Sequence, residues 1–116
     1  MNLKILKCKI HRVTVTRADI NYEGSISIDP ALMRAAGIVP YEAIQIWNVS
    51  NGQRLETYVI KGEENSGEIG VNGSAARHVQ VGDILILAVF CHMDEAEAAQ
   101  HQPKVVFVDE RNRAKA

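Results

Sequence analysis

Cysteine is scarce in this chain, with only Cys8 and Cys91 among 116 residues. Two thiols so far apart make no disulfide framework and no metal motif. His92 follows Cys91 directly, but two adjacent donors without further spaced partners do not build a zinc site, so no metal is expected. No apolar run reaches membrane-spanning length and no secretory leader is visible, which together with the sparse cysteines predicts a cytoplasmic chain. A bias of charge is missing as well: 13 Lys and Arg face 14 Asp and Glu, for a formal net charge of -1. A nucleic-acid binder normally carries a basic face, so neither nucleic acid nor membrane is an expected partner. One local basic cluster exists near the N-terminus, in Lys4, Lys7, Lys9, His11, Arg12 and Arg17. It reads either as a solvated strand edge or as a site for a small anion. Internal repeats, low-complexity tracts and a recognisable PLP motif are absent too.

The chain does have enough apolar residues, 47%, to form a core. Its length predicts a single domain over residues 1–116. So short a chain buries proportionally little surface, which favours oligomerisation. Residues 4 to 15 read as a strand, with Leu6, Cys8 and Ile10 alternating against Lys7, Lys9 and His11. Val13 and Val15 then fall on the side of His11, which predicts a bulge or a strong bend near residues 10 to 13. Residues 22 to 28 form a second expected strand. Asp29 caps a helix over 30 to 36, with Pro30 in its first position and Gly37 as its left-handed stop. A strand at 43 to 49 places Ile44, Ile46 and Asn48 on one face, and Asn51-Gly52 returns it as a strand from 53 to 60.

Beyond a polar loop, a short strand at 68 to 71 ends at Asn72-Gly73, and Ala75 to Arg77 suit one helical turn. The unbroken apolar run Ile84 to Phe90 predicts a strand buried on both faces. Residues 94 to 101 are helix-prone, Val105 to Val108 suit an edge strand, and the charged stretch 109–116 is expected to fray. Many short strands with frequent turns indicate a mainly β chain and a small barrel.

Gly24-Ser25 on its own is an ordinary turn signal. Its company is more specific. The segments Lys9-Ile10-His11-Arg12-Val13, Thr16-Arg17-Ala18-Asp19 and Tyr22-Glu23-Gly24-Ser25 are followed by Ala35-Ala36-Gly37-Ile38 and Ile46-Trp47-Asn48-Val49. Asn51-Gly52, Arg54, Thr57-Tyr58, Val71-Asn72-Gly73 and Val81-Gly82-Asp83 complete the series. In this order and spacing the chain resembles the pyruvoyl-dependent aspartate 1-decarboxylases, over residues 1 to about 93. Ser74 departs from the alanine that family carries there.

The resemblance implies a six-stranded double-psi β-barrel with short helices. It also implies a homotetramer with active sites at subunit interfaces and, as in some relatives, a maturation factor. The implied activity is conversion of L-aspartate to β-alanine and carbon dioxide, on the route to pantothenate. Ser25 would attack the Gly24 carbonyl and cleave the chain into residues 1–24 and 25–116, leaving a covalent pyruvoyl group at position 25. That group forms a Schiff base with the substrate and takes the place of PLP. Gly24 permits attack because it lacks a side chain and tolerates strained angles. Thr57 is the implied donor to the Gly24 oxyanion, and Glu23 is a candidate base. Lys9, His11 and Arg54 would hold the substrate carboxylates, with Thr57, Asn72, Gly73, Ser74 and Ala75 also lining the substrate. Tyr58 would donate the proton that replaces the lost carboxylate. Trp47 and Tyr22 are expected to pack near the site.

Two other readings compete. One is a non-catalytic β-barrel module. The other is a nucleophilic Cys8–His11 pair, disfavoured because three residues along a strand put the two side chains on opposite faces.

Overall fold

The computed structural model describes residues 1–115, and among them eight strands form one sheet in the order β2-β6-β3-β5-β4-β7-β1-β8. The strands are β1 (Asn2–Thr14), β2 (Arg17–Asp19), β3 (Ser25–Ile28), β4 (Ala43–Asn48), β5 (Arg54–Lys61), β6 (Ile69–Asn72), β7 (Ile84–Asp94) and β8 (Lys104–Phe107). Two helices, α1 (Pro30–Ala36) and α2 (Glu95–Gln100), and a 3-10 turn over Gly73–His78 complete the architecture.

Alternation decides which face each strand buries. Cys8, Ile10 and Val13 of β1 point inward with Ile44 and Ile46 of β4, Val59 of β5 and Leu85, Leu87 and Val89 of β7. The expected bulge is present: the β1–β7 register shifts between Ile10 and Val13, and Arg12 sits in the left-handed region at φ 68°. Leu85, Leu87, Ala88 and Val89 are buried, whereas Ile84, Ile86 and Phe90 stay half-covered, so the apolar run of β7 is not buried throughout.

The helix α1 forms where expected. Asp29 Oδ1 accepts from Ala31 N at 2.9 Å, Pro30 occupies the first turn, and Gly37 closes the helix at φ 78°. Asp29 also accepts from the amides of Asn65 and Gly67, both at 2.9 Å, so the cap ties the helix to the loop before β6. The turn between β4 and β5 is longer than the two-residue hairpin that Asn51-Gly52 suggests. Only Gly52 takes a positive φ, and buried Asn48 braces the loop, accepting from Ser50 N at 2.9 Å and donating to Asp83 Oδ2 at 2.8 Å.

Three expectations are corrected. A closed six-stranded barrel is not what forms among the described residues: the sheet stays open, because β2 pairs only with β6 and β8 only with β1. The chain passes from β1 to the opposite edge through Val15 and Thr16, whose amides donate to Asp83 O and Ile69 O at 2.9 Å, and this curls the sheet around the core. Second, the strand expected from residue 22 begins at Ser25, because Asp19 turns the chain by accepting from Asn21 N and Tyr22 N. Third, the segment expected to fray is anchored. Asn112 is buried, accepts from Thr14 N at 2.8 Å, and donates to Thr14 O and Gly67 O at 2.8 Å. Ala116 lies outside the described residues.

Candidate active site

Ser25 opens β3 opposite Asn72, the last residue of the antiparallel neighbour β6. Both are buried, on the face of β3 away from the apolar core. Ser25 Oγ donates to the Glu23 carbonyl at 3.0 Å and accepts from Asn72 Nδ2 at 3.0 Å. A bond to the carbonyl two residues back turns Oγ toward the N-terminal side, where the Gly24 peptide lies. Asn72 Nδ2 also donates to Ser27 Oγ at 3.2 Å, and Arg17 Nη2 donates to the same oxygen at 3.3 Å. Asn72 Oδ1 is buried and has no partner among the described residues. The amide is thus held through its nitrogen, with its oxygen left to accept a further donor.

Two glycines divide the steric work. Gly73 adopts φ 72°, and a Cβ there would lie 2.5 Å from Gly24 Cα and 2.7 Å from Gly24 N. Only glycine lets this backbone approach. At Gly24 the angles are outside the left-handed region and a Cβ would meet nothing within 4 Å. No left-handed angle therefore requires glycine at position 24, and its Cβ direction is open. The parallel pairing Ile26 with Val59 and Ser27 with Ile60, extended backward, sets Tyr58 beside Ser25 and Thr57 beside Gly24. Thr57 points to the core side, paired with Ile44, while Tyr58 is on the outer face with Ser25. Glu23 contributes its carbonyl, not its carboxylate, to Ser25.

The remaining candidates separate into distinct places. Ala75 is buried in the 3-10 turn beside Gly73, while Ser74 is exposed. Tyr22 is exposed on the loop ahead of Gly24. Arg54 pairs across β4 with Trp47 and stacks its guanidinium 4.4 Å from the indole centroid. Among the described residues no carboxylate pairs with Arg54, unlike Arg17 and Arg34, which pair with Glu68 and Glu64. Arg54 and Tyr58 share a strand face four residues apart, roughly 13 Å at the rise of a β-strand.

Lys9 and His11 are farther still. In the sheet order β1 is four strands from β3, roughly 19 Å at normal strand spacing, and both side chains are on the outer face. His11 packs edge-on against Phe107 at 5.6 Å, and its Nδ1 is buried without a partner among the described residues. Burial of the ring, then the charges of Lys9 and Arg12, hold its pKa below the ordinary histidine value.

The Cys8–His11 reading fails on geometry and electrostatics. Cys8 is in the core and His11 is outside it. Burial pushes the Cys8 thiol up to about 11, so it stays protonated at neutral pH. Sequence reasoning did not single out Ser27, Gly70 or Asn112. The signal for Ser27 was its spacing of two from Ser25, which puts both hydroxyls on one strand face.

Comparison with known proteins gives the family. The family model described as aspartate decarboxylase matches residues 1–115. An aspartate 1-decarboxylase of Clostridium kluyveri is 58% identical over 97% of this chain and 88% of its own length. Proteins of the same name from Clostridium novyi and Stenotrophomonas maltophilia are 59% and 54% identical, again over 97% of this chain and over 91% and 89% of their own lengths.

Proposed function

Since the chain belongs to the aspartate decarboxylase family, we propose that it removes the α-carboxylate of L-aspartate, releasing β-alanine and carbon dioxide, with a pyruvoyl group made from its own Ser25. The observation that carries this reading is the buried Ser25 hydroxyl, held between the Glu23 carbonyl and the Asn72 amide next to the Gly24 peptide. Ser25 Oγ attacks the Gly24 carbonyl carbon, the C–N bond breaks, and the chain is joined through an ester with a free amine on Ser25. The Ser25 Cα proton then goes to water and the Cβ–Oγ bond breaks. Its electron pair leaves on Oγ as the Gly24 carboxylate, and dehydroalanine remains. Hydrolysis of that residue releases ammonia and leaves the pyruvoyl ketone.

The surroundings fit such a group. Gly73 packs so closely that a side chain there would strike Gly24, and Asn72 Oδ1 is an acceptor without a partner among the described residues. When present, the ketone supplies an electron sink for the pair left as carbon dioxide departs. The chain's own residues do the rest. Thr57, in register with Gly24, supports the oxyanion formed during attack, directly or through water. Asn72, with Gly73, Ser74 and Ala75, lines the substrate on the pyruvoyl side. Arg54, without a carboxylate partner among the described residues and stacked on Trp47, is preset to grip a substrate carboxylate in a bidentate fork. Tyr58 delivers the proton to the substrate carbon that has lost its carboxylate.

Arg54, Lys9 and His11 stand on other parts of the sheet than Ser25 of the same chain, with Lys9 and His11 four strands along the sheet order from β3. That separation supports a homotetramer in which the outer face of one subunit completes the site of the next. No helix among the described residues is long and apolar enough to cross a membrane, and we place the enzyme in the cytoplasm, feeding pantothenate synthesis.

Denaturing mass spectrometry tests the reading. Two fragments, 1–24 and 25–116, with a pyruvoyl start on the larger, are expected from the unaltered chain. Ser25→Ala should give one uncut, folded, inactive chain, and β-alanine production by that variant would sink the mechanism.

A further inference from the structure

Two registered rows run side by side across β2, β6 and β3. Asp19, Asn72 and Ser25 form one, and Arg17, Gly70 and Ser27 the other. Gly70 lets a side chain cross the second row: a Cβ there would lie 2.7 Å from Arg17 Nη2 and 3.0 Å from its Nε. With only hydrogen in the way, the guanidinium lies over β6 and donates to Ser27 Oγ at 3.3 Å, while Glu68 anchors it at 3.0 Å. Ser27 is 3% exposed, and its Oγ also receives Asn72 Nδ2 at 3.2 Å. The same nitrogen donates to Ser25 Oγ at 3.0 Å. Both amide hydrogens of Asn72 are thus spent on serine oxygens, which fixes how the amide faces.

We propose that Ser27 and Arg17 are positioning residues for self-cleavage, holding Asn72 so that one of its N–H groups stays on Ser25 Oγ. The inference rests on Ser25 being the residue that is converted. The step most dependent on that N–H is elimination. When the Cβ–Oγ bond breaks, the electron pair collects on Oγ, and a donor already in place stabilises it. Neither Ser27 nor Arg17 touches a reacting atom. Ser27 acts through Asn72, and Arg17 acts through Ser27.

The test follows conversion of freshly made full-length chains by denaturing mass spectrometry, with and without hydroxylamine, which cuts the ester and spares the amide. Ser27→Ala should convert roughly threefold to tenfold more slowly, the worth of about one hydrogen bond, with hydroxylamine-sensitive ester building up. Ser27→Thr should restore the rate, and Arg17→Met should fall between. Equal rates in Ser27→Ala and the unaltered chain would overturn the proposal, as would slowing without a larger ester fraction, the mark of a merely structural role. An unaltered chain showing neither cleavage nor ester would instead count against the pyruvoyl reading. The Asn72 side-chain amide then decides the positioning claim by NMR. In freshly made chains not yet converted, its N–H should be protected from exchange in the unaltered chain and unprotected in Ser27→Ala, and equal protection in both would overturn the claim.

Discussion

At position 73 a methyl group would decide the fate of a bond 49 residues earlier in the chain, because Gly73 at φ 72° lies against Gly24. Gly73→Ala should therefore displace the Gly24-Ser25 peptide and reduce cleavage by at least about tenfold, whereas Gly24→Ala, with open space, should leave the thermal midpoint unchanged. Cleavage time courses and melting curves of both variants check this contrast. The Asn72-Gly73 pair was visible in the sequence, but as a turn; the close approach that makes its glycine necessary involves residues distant in the chain. His11 carries a pH effect. Its pKa is held below the ordinary value of 6.5, first by burial. As pH falls, the unfolded chain takes up the proton more readily than the folded one, so stability falls with pH. His11→Phe keeps an aromatic ring against Phe107 without titrating. It should lose less stability than the unaltered chain between about pH 7 and about pH 5, and equal losses in denaturant titrations would remove His11 as the cause.

Elements were legible wherever local chemistry determines them. Asp29, Pro30 and Gly37 bracket α1 because cap, first turn and left-handed stop are each set by one residue. The irregularity in β1 was legible because alternation slips by one residue there, and the register shift shows it to be a bulge rather than only a bend. Edges were not. The three-residue β2 is held by parallel pairing to β6, about 50 residues away, and leaves no periodic trace. The C-terminal segment reads as a charged tail, yet Asn112 fastens it with three side-chain hydrogen bonds while holding a left-handed φ of 59°. Asn112→Ala removes those bonds and places a Cβ-bearing residue without a local polar partner in that region. It should lower stability by about 3 kcal/mol and expose the segment after Phe107 to proteolysis. Chemical denaturation and limited proteolysis would show it, and a variant as stable as the parent would mean the tail is held elsewhere.

For the whole molecule the governing fact is separation. Ser25 and Asn72 occupy one part of the sheet, Arg54 and Trp47 another, and Lys9 a third, four strands from β3. If subunits share sites, then Ser25→Ala and Arg54→Ala chains, each inactive or nearly so, should regain activity when unfolded together and reassembled. Mixed tetramers would contain sites pairing an intact Ser25 with an intact Arg54. Aspartate decarboxylation no greater than the sum of the separate variants would confine each site to one chain. The amino-acid sequence alone determined the strand-rich class, the capped helix, the inward faces and the order of reactive side chains, since these depend on periodicity and on the chemistry of neighbouring residues. Only the tertiary structure decided which of those side chains meet. It set Asn72 on Ser25, used Gly70 to pass Arg17 across to Ser27, and left Arg54 stacked and unpaired. Those outcomes follow from strand order and register, which arise when distant segments compete to bury one core.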